Sequence, residues 1–313
     1  MFEPIRELIE KYDRIIIHRH KNPDGDAIGS QVGLKHILME NYPKKEIYAV
    51  GDPAGRYAFM EDSTPDTVAD ELYENALAII LDTSAKSLIS DDRYEKAAAT
   101  ARIDHHLFCE TIAETEVTDP SFESCCGLIT AFAMEAGFSV SPMAAKSLYT
   151  GMITDSGRFR YDSTSAKTFR MAAFLMEKGF RTEDIYRNLY ADDLPYMQLR
   201  ASFTLKIKLT DHHVAYTYTT REEAEALDFD TFTISRGMVG VMSDIRGIDS
   251  WVGFTETADG VLCEIRSAKY NINPIAKKYG GGGHAKASGA TLHDREEAMR
   301  LLQDLCALSE ETK

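Results

Sequence analysis

The sequence predicts an α/β protein in two parts. A mostly parallel sheet with helices on both faces comes first, then a smaller α+β domain, with the active site in the cleft between them. Three observations predict this. The chain has 313 residues, about two domains' worth at roughly 150 residues each. Its first half alternates short β-branched apolar runs with amphipathic stretches, as buried parallel strands and their crossover helices do. From about Leu194 the pattern changes to period-two alternation around polar turns, which suits antiparallel hairpins. The expected division is 1–190 and 200–313, with the linker within 186–200.

Element by element, MFEPIRELIEKYDR scatters charges among apolar positions and reads as a surface helix, not a signal peptide. DRIIIHRH, KEIYAV, ALAIILD and TARIDHH read as strands, and AIGSQVGLKHILME as the helix after the first of them. Four more helices are expected in SCCGLITAFAMEAGF, SPMAAKSLYTGMIT, SAKTFRMAAFLMEKGF and TEDIYRNLYA, with glycine or proline at most boundaries. LKIKLTDHHVAYTYTT and WVGFTETADGVLCEIRS read as hairpins.

Composition narrows the function. No run approaches the ~18 apolar residues a membrane span needs. Five cysteines, an odd number without a C-x-x-C pair, point to a reducing cytoplasm rather than a disulfide framework. A net charge of −15 argues against coating long duplex nucleic acid, which needs many surface cations, but leaves room for a small anion at a local site.

Chemistry gathers at strand ends, where ligands collect in open α/β sheets. The first strand runs into His20, Asp24 and Asp26 on a turn shaped by proline and glycine. That segment also reads as an Asx turn capping the next helix. ALAIILD ends in Asp82, which reads equally as a cap. ARI ends in Asp104-His105-His106, and MITDSG brings Asp155 to a helix end. Together, His20, Asp24, Asp26, Asp82, His105 and Asp155 are mixed N and O ligands. They suit two octahedral divalent ions, Mn²⁺ before Mg²⁺ or zinc. Two such ions ~3.5–4 Å apart hold a hydroxide in line with a phosphorus atom.

Between Arg266 and Lys286 there are five basic residues and no acidic one. Gly280–Gly283 and His284 lie inside this stretch. Consecutive glycines let backbone N–H groups approach an anion, and a following helix start would add its dipole. A flexible linker is the plain alternative. Arg158 and Arg160 either lean towards the same cleft or form a solvated helix-end pair. Asp211-His212-His213 repeats the earlier tripeptide between two alternating strands and reads as an exposed hairpin turn.

HKNPDGDAIGS, ILDTS, IDHH, TDSGRF and GGGGHAKASG resemble, in order and spacing, the motifs of the DHH phosphoesterase superfamily with its DHH-associated C-terminal domain. The match covers essentially the whole chain and is most similar to the bacterial nano-RNase and pAp-phosphatase group. The resemblance implies a Mn²⁺-dependent hydrolase of very short RNA, such as pApA, or of 3′-phosphoadenosine 5′-phosphate (pAp). It implies one ion on His20, Asp24 and Asp82, and another on Asp26, Asp82, His105 and Asp155. Asp104 would orient a histidine, and His106 would face the scissile phosphate. Arg266, Gly281, Gly282, Gly283 and His284 would grip the terminal nucleotide. Leu88 departs from the pattern, which often has arginine there.

Two other readings stand beside it. An inorganic pyrophosphatase or exopolyphosphatase-like enzyme shares the metal layout, but its lysine- and arginine-rich signature is replaced here by GGGGH. A catalytically idle nucleotide-binding protein is the other; six filled ligand positions argue against it, since unpaired buried carboxylates are costly. The partners expected are short RNA or nucleotides, no membrane, and a possible second copy of the chain.

Overall fold

Buried aliphatic runs set the first sheet. In the computed structural model, which describes residues 1–311, the chain separates into two compact units that meet at Ala191 and Asp192. The first contains α1 (Glu3–Lys11), β1 (Arg14–His18), α2 (Gly25–Asn41), β2 (Glu46–Ala49), β3 (Ala76–Leu81), β4 (Ala99–Asp104) and β5 (Thr115–Thr118). Four helices follow: α3 (Cys125–Ala136), α4 (Pro142–Asp155), α5 (Ala166–Met176) and α6 (Thr182–Tyr190). The strands are all parallel, in the order β2-β1-β3-β4-β5.

Alternation divides each central strand between two faces. Ile15, Ile17, Leu77, Ile79, Leu81, Ala101 and Ile103 join α1 to α6 in one large core. Ile16, Ala76, Ala78 and Ile80 face the other way, where 3₁₀ turns and loops cover them through Tyr73, Ile89, Tyr94 and Ile112. The α-helices thus lie on one face and short 3₁₀ helices on the other. Caps delimit the helices: Ser124, Ser141 and Ser165 each accept a backbone N–H at the starts of α3, α4 and α5.

The second unit contains α7 (Leu194–Leu205), β6 (Lys208–Leu209), β7 (Val214–Thr219), α8 (Arg221–Glu225), β8 (Ser250–Thr257), β9 (Gly260–Ser267), α9 (Asn273–Lys278), β10 (Gly282–Gly283), β11 (Ala287–Leu292) and α10 (Arg295–Glu311). Its sheet runs β10-β11-β9-β8-β7-β6 and is mixed, because β7 pairs parallel with β8 while the other neighbours are antiparallel. Ala298, Leu301, Leu302 and Leu305 of α10 recur at helical spacing and pack on Val252, Phe254, Cys263 and Ile265.

Within 186–200, where the linker is expected, the stretch is mostly helix and the units divide at Ala191 and Asp192. Asp193 accepts the N–H of Tyr196 and Pro195 occupies the first turn, so only residues 191–193 separate α6 from α7. Among the described residues no helix is long and apolar enough to cross a membrane.

Candidate metal centre

Each part of the site is fixed by what its backbone meets. Arg19 is buried beyond the end of β1, its guanidinium donating to the Gln31 side chain and the Asp52 carbonyl. Gln31 in turn donates to the carbonyls of Ile17 (2.6 Å) and Val50 (2.9 Å). This clamp delivers His20 off the sheet edge. Its Nδ1 lies 2.8 Å from the Lys21 carbonyl, and its Nε2 lies 3.8 Å from Asp24 and 3.6 Å from Asp82. Asp24 also caps α2, accepting the N–H groups of Asp26 (2.9 Å) and Ala27 (3.0 Å). The cap and the cluster are one residue.

Glycines bring the next two carboxylates together. A Cβ at Gly29 of α2 would stand 2.6 Å from the Ser147 carbonyl, and one at Gly151 of α4 only 2.2 Å from Cys126 Sγ. The helices therefore touch nearly backbone to backbone. Asp26, in the first turn of α2, is buried against the start of α3, where it accepts the N–H groups of Cys125 (2.7 Å) and Cys126 (2.9 Å). Asp155 closes α4 beside it.

Asp82 follows β3 with φ of +49°, a left-handed backbone that an aspartate tolerates better than most residues. It is buried, and its Oδ1 has no hydrogen-bond partner. His105 Nε2 lies 3.5 Å from that oxygen, 3.8 Å from Asp26 and 3.6 Å from Asp155. Such distances are too long for good hydrogen bonds. The atoms face one another across a gap, in groups of His20-Asp24-Asp82, Asp26-His105-Asp155 and Asp82-His105-His106, each within 4.8 Å.

The charges agree with a cation there. Burial, then Asp82, push Asp26 well above the usual carboxylate range. Burial pushes Asp155 up to about 6, against His105 and with Asp82 and Asp24. Burial would depress His20 and His105, but the surrounding aspartates raise both to about 10. Left to itself the cluster must hold protons to offset its own repulsion, and a divalent cation would displace them. Imidazole and carboxylate donors with an orphaned buried oxygen fit such an ion.

Asp104 is a different case. Fully buried, it takes an ion pair from the buried Arg102, and its Oδ1 accepts His106 Nδ1–H at 2.7 Å. The histidine it orients is thus His106, whose side chain is 44% exposed and keeps Nε2 free. Arg102 also donates to the Glu110 carbonyl (3.2 Å), holding the loop beyond β4.

The remaining expected residues are outside these three groups. Gly157, Arg158 and Phe159 are three consecutive left-handed residues, and the turn lays the Arg158 guanidinium 4.2 Å over the Tyr190 ring. Arg160 bonds back to the Gly157 carbonyl.

In the second unit, Arg266 on β9 is paired with Glu264 at 3.0 Å. The glycine run is not followed by a helix: α9 precedes it, and β10 and β11 form a hairpin over 282–292. A Cβ at Gly281 would lie 2.1 Å from the Gly289 carbonyl, and Gly283 has φ of +131°, so the hairpin itself needs these glycines. A Cβ at Gly282 would meet open space. His284 is exposed, its N–H donating to Ala287 at 2.7 Å. The segment's charge is also largely offset from outside, since Lys278 pairs with Asp304 and Lys269 with Asp249. Asp211, His212 and His213 form the β6–β7 turn, with His213 at φ of +61° and His212 on Glu310.

Sequence reading overlooked Arg19, Arg102 and the glycines between α2 and α4. The glycine spacing, 25, 29 and 33, was the available signal.

A fold with this cluster at the carboxyl edge of a parallel sheet defines a phosphoester hydrolase, and comparison with known proteins gives the family. The chain belongs to the DHH family: the model of its N-terminal domain matches residues 14–152, and that of the DHHA1 domain matches 226–311. It is 36% identical over 306 residues to the bifunctional oligoribonuclease and PAP phosphatase NrnA of Bacillus subtilis, covering 97% of each chain. It is 33% identical to the probable counterpart of Streptococcus mutans, again over 97% of each. The crystal structure of an exopolyphosphatase-related protein from Bacteroides fragilis superposes with a TM-score of 0.83 at 27% identity, covering 98% of this chain and 95% of that one.

Proposed function

We propose that this protein hydrolyses very short oligoribonucleotides, pApA among them, to mononucleotides, and pAp to AMP, with two divalent ions, Mn²⁺ first. The observation that carries the reading is the shared Asp82: one buried carboxylate faces His20 and Asp24 on one side and His105 on the other. His20, Asp24 and Asp82 would hold one ion, and Asp26, Asp82, His105 and Asp155 the other. When bound, such a pair supplies charge neutralisation at the phosphoryl oxygens and a water of lowered pKa.

The chain's own residues do the rest. Asp104 raises the His106 pKa through its hydrogen bond, which favours the imidazolium, and in that form Nε2–H would donate to a phosphoryl oxygen as charge develops there. Arg102 neutralises Asp104 and keeps that carboxylate out of the ligand set. Arg266, Gly281, Gly282, Gly283 and His284 would take the far nucleotide or its phosphate, with Arg158 as a further contact. Gly282 favours this, because the hairpin does not need a glycine there. A net charge of −15 suits a short substrate held locally over a long duplex. The reading places the protein in the cytoplasm.

Incubation of the Mn²⁺-loaded protein with pApA, a 24-residue RNA, pAp and pyrophosphate tests it, with Asp82→Ala as control. AMP release from pApA and pAp, lost in the control and weak on the long RNA, is the expected result. Pyrophosphate turnover alone would move the protein to the pyrophosphatase reading. Metal binding without turnover would make it a nucleotide-binding protein.

A further inference from the structure

Beside a site made of aspartate and histidine, the chain exposes large apolar side chains. Leu107 and Phe108, directly after His106, are 79% and 68% exposed, and Leu88, in the loop after β3, is 45% exposed. None joins a core cluster, although Ile89 and Ile112 in the same two loops do. The loops are tied to each other and to the site. Lys86 N–H donates to Glu110 Oε1 at 2.9 Å, and Lys21 N–H to the Leu88 carbonyl at 2.7 Å, while Ile89 pairs with His20. Glu116 accepts the N–H groups of Ile112 (2.6 Å) and Ala113 (3.0 Å), and Arg102 holds the Glu110 carbonyl. The loop's returning limb is thus pinned while its tip stays in solvent.

Two residues of chain span at most about 7 Å, so Phe108 stays close to His106 wherever its ring turns. A phosphate held at the cluster once that cluster is loaded with divalent ions would carry its own ribose and base on the same scale. Every nucleobase has a π-face, and an exposed phenylalanine is the side chain that such a face stacks on. We propose that Phe108, flanked by Leu107 and Leu88, is the platform for the base of the nucleotide whose phosphate is hydrolysed. The inference deepens the reading above and rests on it. It makes the first unit select nucleotides over other phosphoesters, before the second unit contributes anything.

The test compares pAp with the abasic bisphosphate that lacks adenine, using the Mn²⁺-loaded full chain, Phe108→Ala and Phe108→Trp. Phe108→Ala is expected to raise KM for pAp about tenfold with kcat little changed, and to collapse the preference for pAp over the abasic compound. Phe108→Trp should restore that preference. It also gives a readout independent of turnover. The natural chain has one tryptophan, Trp251, which is 8% exposed, so an exposed indole added at position 108 should be quenched by AMP and not by ribose 5-phosphate.

Equal losses on both substrates, or no quenching, would overturn the proposal. So would a change in oligomeric state on Phe108→Ala with the preference intact, which would give the tip to a second copy of the chain. If the natural protein cleaves both compounds equally, only the platform fails. If it cleaves neither, the proposed function fails with it.

Discussion

The two units handle charge in opposite ways. In the first, among the described residues, Asp24, Asp26, Asp82 and Asp155 face histidines and no lysine or arginine, Arg102 being taken up by Asp104 beside them, and closely packed helices keep them there. In the second, the basic stretch from Arg266 to Lys286 lies largely in solvent, and Arg266, Lys269 and Lys278 each already face an acid. Glycine follows the same division. Gly29 and Gly151 remove side chains so that helices can meet, whereas Gly281 and Gly283 shape a hairpin. The lesson is that a charged or glycine-rich stretch has no fixed meaning. What matters is whether the fold has already used it.

The contrast can be broken most forcefully at Arg102. Arg102→Met leaves Asp104 buried without its cation, and the expected cost is about 3–5 kcal/mol in urea unfolding. The same substitution should lower kcat about 10–100-fold through a misplaced His106, with Arg102→Lys recovering part of it. Next comes Gly151→Ala. Its methyl would meet Cys126 Sγ at 2.2 Å, so roughly 1–3 kcal/mol of stability should be lost, and calorimetry should find weaker Mn²⁺ binding. An unchanged urea midpoint would remove close helix approach as the device that assembles the cluster.

Gly282→Ala sharpens the other side. With no neighbour to strike, it should stay within about 0.5 kcal/mol of the natural protein in thermal unfolding. KM for pApA should nevertheless rise if that loop holds the substrate.

Glu256 gives the smallest effect. Tyr218 donates to it at 2.6 Å and the Arg221 N–H at 3.0 Å, and these bonds hold its carboxyl below the usual range. A carboxyl depressed in the folded state stabilises above its unfolded pKa, and that contribution fades as pH falls through the folded one. Below about pH 4.5 the unfolding free energy from urea titrations should therefore fall slightly faster than in Glu256→Gln, by less than about 1 kcal/mol.

Legibility followed burial. The first strands and their helices were readable because Ile15–Ile17, Leu77–Leu81 and Ala101–Ile103 are continuous apolar runs, and turn chemistry after each exposed the acids. Thr115–Thr118 is a short, polar edge strand with one buried residue, and nothing in its pattern announces it. α7 hid because Leu194, Met197 and Leu205 are exposed and blur its period. The parallel pairing of β7 with β8 was invisible, since alternation looks the same in either direction. A helix was expected after the glycine run because consecutive glycines within a basic stretch serve either a helix start or a hairpin. The following AKASGATL alternates, and weighing that would have favoured the strand.

Asp26 also carries a consequence for synthesis. Its carboxylate is held by amides 99 and 100 positions further along, and its neighbours in the cluster extend to Asp155. While the nascent chain is still short, β1 and the start of α2 can emerge, but the amides that hold Asp26 do not yet exist. The part of the cluster around Asp26 is therefore completed only after α4 has left the ribosome. Before that point the group of Asp26, His105 and Asp155 is incomplete, while His20, Asp24 and Asp82 already lie within the emerged chain.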